Sequence, residues 1–175
     1  MSGKKPRKPR YQASHNTLYK AIMRATRYTE EEVQHLMEPI NEALTALREG
    51  RATEMNWKYL VTAIGIGLSI EHKGVVRGLK EHLMAADNAL ATVALRCRAT
   101  GQWRPTALWF DELDAIKLGV ELYEYQVRQL SAKEYAAAYN HAIAEIVRTG
   151  GELAQAARTI QATLDNPARF EGATA

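Results

Sequence analysis

The chain has 175 residues, 46% hydrophobic and 25% charged, the size and mix of one globular domain with a buried core. Its single cysteine, Cys97, excludes an intramolecular disulfide and a cysteine-built zinc cage. No apolar run approaches the roughly 18 residues of a membrane span, and the formal charge of +3 conceals an uneven distribution along the chain.

The first 28 residues hold eight cations: Lys4, Lys5, Arg7, Lys8, Arg10, Lys20, Arg24 and Arg27. The first acidic residue is Glu30. The remaining chain carries 15 basic and 20 acidic residues, a net of −5. Residues 1–16 therefore read as a cationic arm on a mildly acidic body. Pro6 and Pro9 keep the arm extended rather than helical. Such a strip attracts phosphates through counterion release, or acidic protein surfaces by the same charge, or serves solubility alone. No signal-peptide apolar core follows it, which predicts a cytoplasmic protein. Residues 17–28, TLYKAIMRATRY, would place Lys20, Arg24 and Arg27 on one face if helical. They either extend the cationic surface or form an ordinary first helix with a solvated side.

Helix signals recur from Thr29 onward. Thr29 and Glu32 form a capping box. Val33, Leu36, Met37, Ile40, Leu44 and Leu47 follow at helical spacing. Pro39 should kink or break this helix, and Gly50 should close it. Thr53 or Asn56 can cap a second helix with Trp57, Leu60, Ile64 and Leu68 on its apolar side, ending near His72-Lys73-Gly74. A third run, Val76, Leu79, Leu83, Ala86, Leu90, Val93 and Cys97, alternates spacings of 3 and 4 and stops at Gly101. A fourth, Trp109, Leu113, Ile116, Val120, Tyr123, Val127 and Leu130, does the same. These are the seams of two long helices packed against each other, with Trp109, Tyr123 and Cys97 in the core.

Gly101-Gln102-Trp103-Arg104-Pro105 is the connection between them. Trp103 beside Arg104 reads as an exposed interaction anchor, or as a plug in the loop. Ser131 and Glu134 form another capping box, followed by Tyr135, Tyr139, Ala142 and Ile146. Gly150-Gly151 should break this helix, although Leu153, Ala157, Ile160 and Leu164 keep its phase, so one long kinked helix is the alternative. Asp165-Asn166-Pro167 is a stop, and residues 167–175 read as a loose tail. No alternating strand pattern occurs. The expectation is an all-α, mostly antiparallel bundle of four to six helices over residues 17–166.

Few residues point to chemistry. Glu32-x-x-His35 has the carboxylate–imidazole spacing of di-iron bundles, but no second such pair exists, so no metal is expected. Ile64-Gly65-Ile66-Gly67 lacks the remaining features of a nucleotide-binding loop and reads as a close helix approach. Ser131, Cys97 and the histidines suggest no catalytic triad. No cofactor is expected, and no enzyme.

Two stretches, ALTALREGRATEMNWKYLVTAI and ATGQW…FDELDAIKLGVELYEYQVRQLSAKEYAAAYNHAI, carry a resemblance. The chain resembles a family of small helical proteins encoded by bacterial phages, prophages and plasmids. That family has a Lys/Arg/Pro tail and a helix boundary matched by Leu44, Leu47, Gly50, Ala52 and Thr53. Thr100 and Gly101 match its motif between two long helices, and Leu130 and Ser131 match the opening of its last helix. The likeness covers residues 3 to 147; the glycine-rich second helix and longer C-terminus depart from it. It implies a bacterial mobile element and action in the host cytoplasm, with no catalytic residues to transfer. Taken together, the expectation is a non-enzymatic accessory protein that binds nucleic acid through its arm. The alternative is a module that binds and modulates a host or phage protein. Apolar residues off the main seams, Leu108, Phe110, Leu118 and Leu122, point to a homo-oligomer with no membrane attachment.

Overall fold

Thr29 opens the first of the five described helices as its neighbours dictate. Its Oγ1 accepts the Glu32 N–H at 3.3 Å, while the Glu32 carboxylate accepts the Thr29 N–H at 2.8 Å. The computed structural model describes residues 25–100, 103 and 108–148. Within them are five helices: α1 Glu30–Arg48, α2 Glu54–Lys73, α3 Lys80–Ala99, α4 Phe110–Gln129 and α5 Ala132–Arg148. The described residues contain no strand, only an isolated antiparallel bridge between Arg27 and Ser131. The protein is an all-α helical bundle.

The predicted punctuation is where the helices end. Gly50 adopts φ 69°, and the Arg51 N–H returns to the Ala46 carbonyl at 3.0 Å, closing α1 with a left-handed cap. Thr53 caps α2, with Asn56 returning the bond to its N–H at 2.8 Å. Gly74, at φ 73°, ends α2. Ser131 and Glu134 form the expected box at α5. Pro39, however, neither ends nor interrupts α1. The N–H that proline lacks would have bonded the carbonyl of His35, an exposed residue, so the missing bond strands no buried group.

α2 is the hub. It packs against α1, α3, α4 and α5, while α4 also contacts α3 and α1. The Trp57 indole N–H donates to the Leu90 carbonyl at 2.9 Å near the start of α2, and Gly67 meets Leu83 further along, so α2 and α3 are antiparallel. Ala86 faces Gly119 and Arg96 pairs with Glu112, so α3 and α4 are antiparallel too. The two regular seams do pack on each other. Leu83, Ala86, Leu90, Val93 and Cys97 are buried, as are Ile116, Val120, Tyr123, Val127 and Leu130.

Both seams are shorter than their patterns. Val76 and Leu79 precede α3 and are half-buried in its approach, where the Glu71 carboxylate accepts the Gly78 N–H at 2.7 Å. Trp109 is not core. It stands in extended backbone at the N-cap of α4, 65% exposed, because the seam begins a turn later at half-buried Leu113. The predicted arm 1–16, Lys20, Arg24, the Gly150-Gly151 break and the tail 167–175 lie outside the described residues.

Two glycines set the interhelical distances. A Cβ on Gly67 would stand 2.9 Å from Gln126 Oε1 and 3.2 Å from Leu83 Cδ2. A Cβ on Gly119 would stand 2.5 Å from the Ala86 Cβ and 2.8 Å from Ile64 Cδ1. Gly65 has no such neighbour.

Alanine normally stabilises a helix relative to glycine by about 1 kcal/mol. At Gly119 the sign should reverse. Gly119→Ala is expected to cost about 1–3 kcal/mol through overpacking, and Ala86→Gly in the same chain should recover part of that loss. Urea denaturation of the single and double variants measures it; a stabilised Gly119→Ala would mean α3 and α4 are further apart than described.

Candidate interaction surface on the fourth helix

The α3–α4 junction is organised by one ion pair. Arg96 Nη1 and Nη2 donate to Glu112 Oε1 and Oε2 at 2.5 and 2.6 Å, a bidentate arrangement. Glu112 sits at the third position of α4, and its Oε2 also accepts the Trp109 N–H at 3.1 Å. One carboxylate thus caps its own helix and holds the end of the preceding one. Burial raises the Glu112 pKa, but the Arg96 hydrogen bonds, the Trp109 N–H and the Arg96 charge outweigh it, and the carboxyl lies below its ordinary value. The Arg96 guanidinium lies 6.0 Å from the centre of the Trp109 ring, within cation–π range.

Beyond this junction the outer face of α4 is unusual. Residues 110, 114, 118, 121 and 125 fall on one helical stripe. Phe110 is 89% exposed, Tyr125 51% and Leu118 38%. Asp111, Asp114 and Glu121 are exposed among them, and two cations share this face: Lys117, 3.8 Å from Glu121, and half-buried Arg128, paired with Glu30 and Glu124. The inner face of the same helix, Ile116, Gly119, Val120, Tyr123, Gln126 and Val127, is buried. The helix is therefore apolar inside and mixed aromatic–acidic outside.

The residues singled out in the sequence fall differently. Trp103 is not an exposed anchor. It is half-buried, its ring centre 5.5 Å from that of Trp57, and its buried indole N–H has no hydrogen-bond partner among the described residues. It is the loop plug. Trp109, placed in the core by its spacing, is the exposed tryptophan. Arg27 is exposed but lies in the bridge to Ser131 rather than in a helix. Its charge contributes to lowering the Glu134 pKa, after the hydrogen bonds from Ser131. Arg104 and the cations from Lys4 to Arg24 lie outside the described residues.

One polar cluster carries no sequence signal. Ser69 Oγ and His141 Nδ1 are 3.0 Å apart, joining α2 to α5, and His72 stacks on His141 with ring centres 5.2 Å apart. The partners are 72 residues apart in sequence, and no motif announces them. Ser69 is 4% exposed in mid-helix, a setting for a helix–helix tie rather than a nucleophile open to substrate. Tyr123 and Tyr135 share a 2.9 Å hydroxyl contact, and Tyr28 packs edge-on against Tyr135 at 5.7 Å. Glu32 is engaged in its cap, and His35 faces Glu38 at 3.8 Å. No group of three or more His, Cys, Asp or Glu able to hold a metal ion occurs among the described residues. No described helix is long and apolar enough to cross a membrane. Compared with known proteins, the chain matches no family model, no curated protein and no solved structure.

The lowered pKa values of Glu112 and Glu134 have a sign. A depressed carboxylate adds stability that is complete above the ordinary glutamate range, about 4.3, and is lost as pH falls through the lowered folded value. Glu112→Gln should therefore destabilise the protein at pH 7 by about 1–3 kcal/mol, the scale of hydrogen bonds to charged groups. The gap to the parent should narrow below roughly pH 4. Denaturation midpoints across that range test it; a constant gap would show that the Glu112 carboxylate contributes nothing by its charge.

Proposed function

We propose that this is a non-enzymatic accessory protein of a bacterial mobile element, acting in the host cytoplasm, and that its N-terminal arm contacts nucleic acid. The observation carrying this reading is the segregation of charge. Lys4, Lys5, Arg7, Lys8 and Arg10 crowd into a short acid-free stretch, while the rest of the chain beyond Glu30 is net negative. Six of the fifteen cations beyond Glu30 are engaged with carboxylates. Arg51, Lys58, Arg96, Lys117, Arg128 and Arg148 each face a carboxylate within 3.8 Å. A polyanion would find its concentrated positive partner in the arm, with Lys20, Arg24 and Arg27 continuing it towards the body.

A second reading has its own observation. Trp109 and Phe110 stand exposed at the start of α4, on a rigid junction. Aromatic anchors of this kind favour a protein partner, from the host or the element, or a second copy of the chain.

Changing Lys4, Lys5, Arg7, Lys8 and Arg10 together to alanine separates the two. The fold should remain, by circular dichroism. Binding to a labelled DNA duplex and to single-stranded RNA at ~100 mM salt should be lost, and the parent's log–log salt slope should fall by about one per cation removed. Anisotropy titration reads this. Equal binding by parent and variant would exclude the arm; no binding by the parent at low salt would leave the protein-partner reading in its place.

A further inference from the structure

We propose that the outer face of α4 is a docking surface for a cationic amphipathic helix presented by a protein partner. This deepens the protein-partner reading and rests on it. Single exposed apolar residues are ordinary on any protein surface. Phe110, Leu118 and Tyr125 are not scattered: they occupy one stripe of one helix, about 22 Å long at 1.5 Å per residue. A partner helix of about four turns matches that length, with apolar residues at helical spacing as its anchors.

The charges choose among partners. Asp111, Asp114 and Glu121 share the face with Lys117, which already approaches Glu121, and with Arg128, whose charge is met by Glu30 and Glu124. An acidic helix would be repelled. A second copy of the same face would bring its own three carboxylates to the contact. Lysines or arginines flanking an apolar stripe meet the pattern on both counts.

Two further features fit an occupant. The face is pre-set: Ile116, Val120, Tyr123 and Val127 beneath it are fully buried, so α4 cannot roll to hide Phe110. Arg96 and Glu112 fix its first turn, so little ordering accompanies binding. At the far end Tyr125 and Gln129, with Val75, Val76, Arg27, Ser131 and Glu134, line a surface cavity of about 450 Å³. Its lining is part polar and part apolar, so it can receive a long side chain of the partner that carries a polar end.

The probe is a fluorescein-labelled amphipathic peptide of about 18 leucines and lysines in helical register, titrated against the full chain by anisotropy. Binding is expected at about 50 mM salt and weaker at about 500 mM. Phe110→Ala with Leu118→Ala should weaken it about tenfold, and so should Asp111→Asn, Asp114→Asn and Glu121→Gln combined. Met55→Ala with Tyr59→Ala, exposed apolar residues on α2, should leave it unchanged. The proposal falls if the parent does not bind the peptide, or if the α2 variant loses as much. It also falls if a leucine–glutamate peptide binds as tightly. A parent dimer in sedimentation that Phe110→Ala with Leu118→Ala converts to monomer would assign the face to a second copy instead. Peptide affinity rising about tenfold in the five-alanine arm variant would assign it to the chain's own arm. Nucleic-acid binding by the α4 variants should match the parent, which keeps failure here distinct from failure of the arm.

Discussion

The bundle depends on how closely α2, α3 and α4 approach one another at Gly119. Ile64, Ala86 and Gly119 meet there with no room for another methyl group. The backbone separation this permits brings Gly67 against Leu83, and lets the Gln126 amide reach the Gly67 carbonyl at 3.2 Å. Arg96 and Glu112 then meet at the end where the chain passes from α3 to α4. Large residues at the crossing would push α4 outward and separate groups that now sit at bonding distance. Small residues at the centre and large ones along the seams divide the work: the first set the distance, the second provide the buried apolar area that holds it.

Most of this architecture is legible in the sequence because helix periodicity and helix ends are local properties. Thr29, Thr53 and Ser131 each carry their partner three residues on, so the caps can be read without knowing the fold. The seam positions from Leu83 to Cys97 and from Ile116 to Leu130 are buried as their spacing requires. The errors arise where burial is decided by residues far away in sequence. Spacing extends the fourth seam back to Trp109, yet a seam continues only while a partner lies opposite, and α3 ends at Ala99 beside Glu112. Trp103 is covered because Trp57 offers a ring to pack on, 46 positions earlier. Gln126 and Gly119 look like breaks in an apolar pattern and are instead buried, one bonding the backbone of α2, the other giving way to Ala86. The Ser69–His141 tie is invisible for the same reason. Residues 1–24, which carry most of the candidate nucleic-acid contacts, show only composition and charge in the sequence, and lie outside the described residues.

Charge is divided as sharply as polarity. Six of the body's fifteen cations pair with nearby carboxylates, as Arg128 does with Glu30 and Glu124. Exposed pairs of this kind add little stability each, typically below about 1 kcal/mol. Their larger effect is on the field around the molecule. A paired cation offers a distant polyanion little, and the unpaired surplus on the body is negative. By formal charge the N-terminal stretch is therefore the cationic part of the chain, and the remainder is its anionic part.

A comparison of α1 with α4 shows what the fold does and does not require of an outer face. Both helices bury an inner stripe, Val33, Met37, Ile40 and Leu47 in one and Ile116, Val120, Tyr123 and Val127 in the other. On α1 the exposed positions are Glu30, Glu31, Glu32, Gln34, His35, Glu38, Asn41, Glu42 and Arg48, all polar, as expected of a helix whose other side meets only water. On α4 the corresponding surface carries Phe110, Leu118 and Tyr125 among its carboxylates. Bundle packing is satisfied equally by either composition, since none of these side chains enters the core. Apolar groups held in water add nothing to folding and raise the tendency to associate. The inner face of α4 is thus accounted for by the bundle, while the apolar residues of its outer face are not.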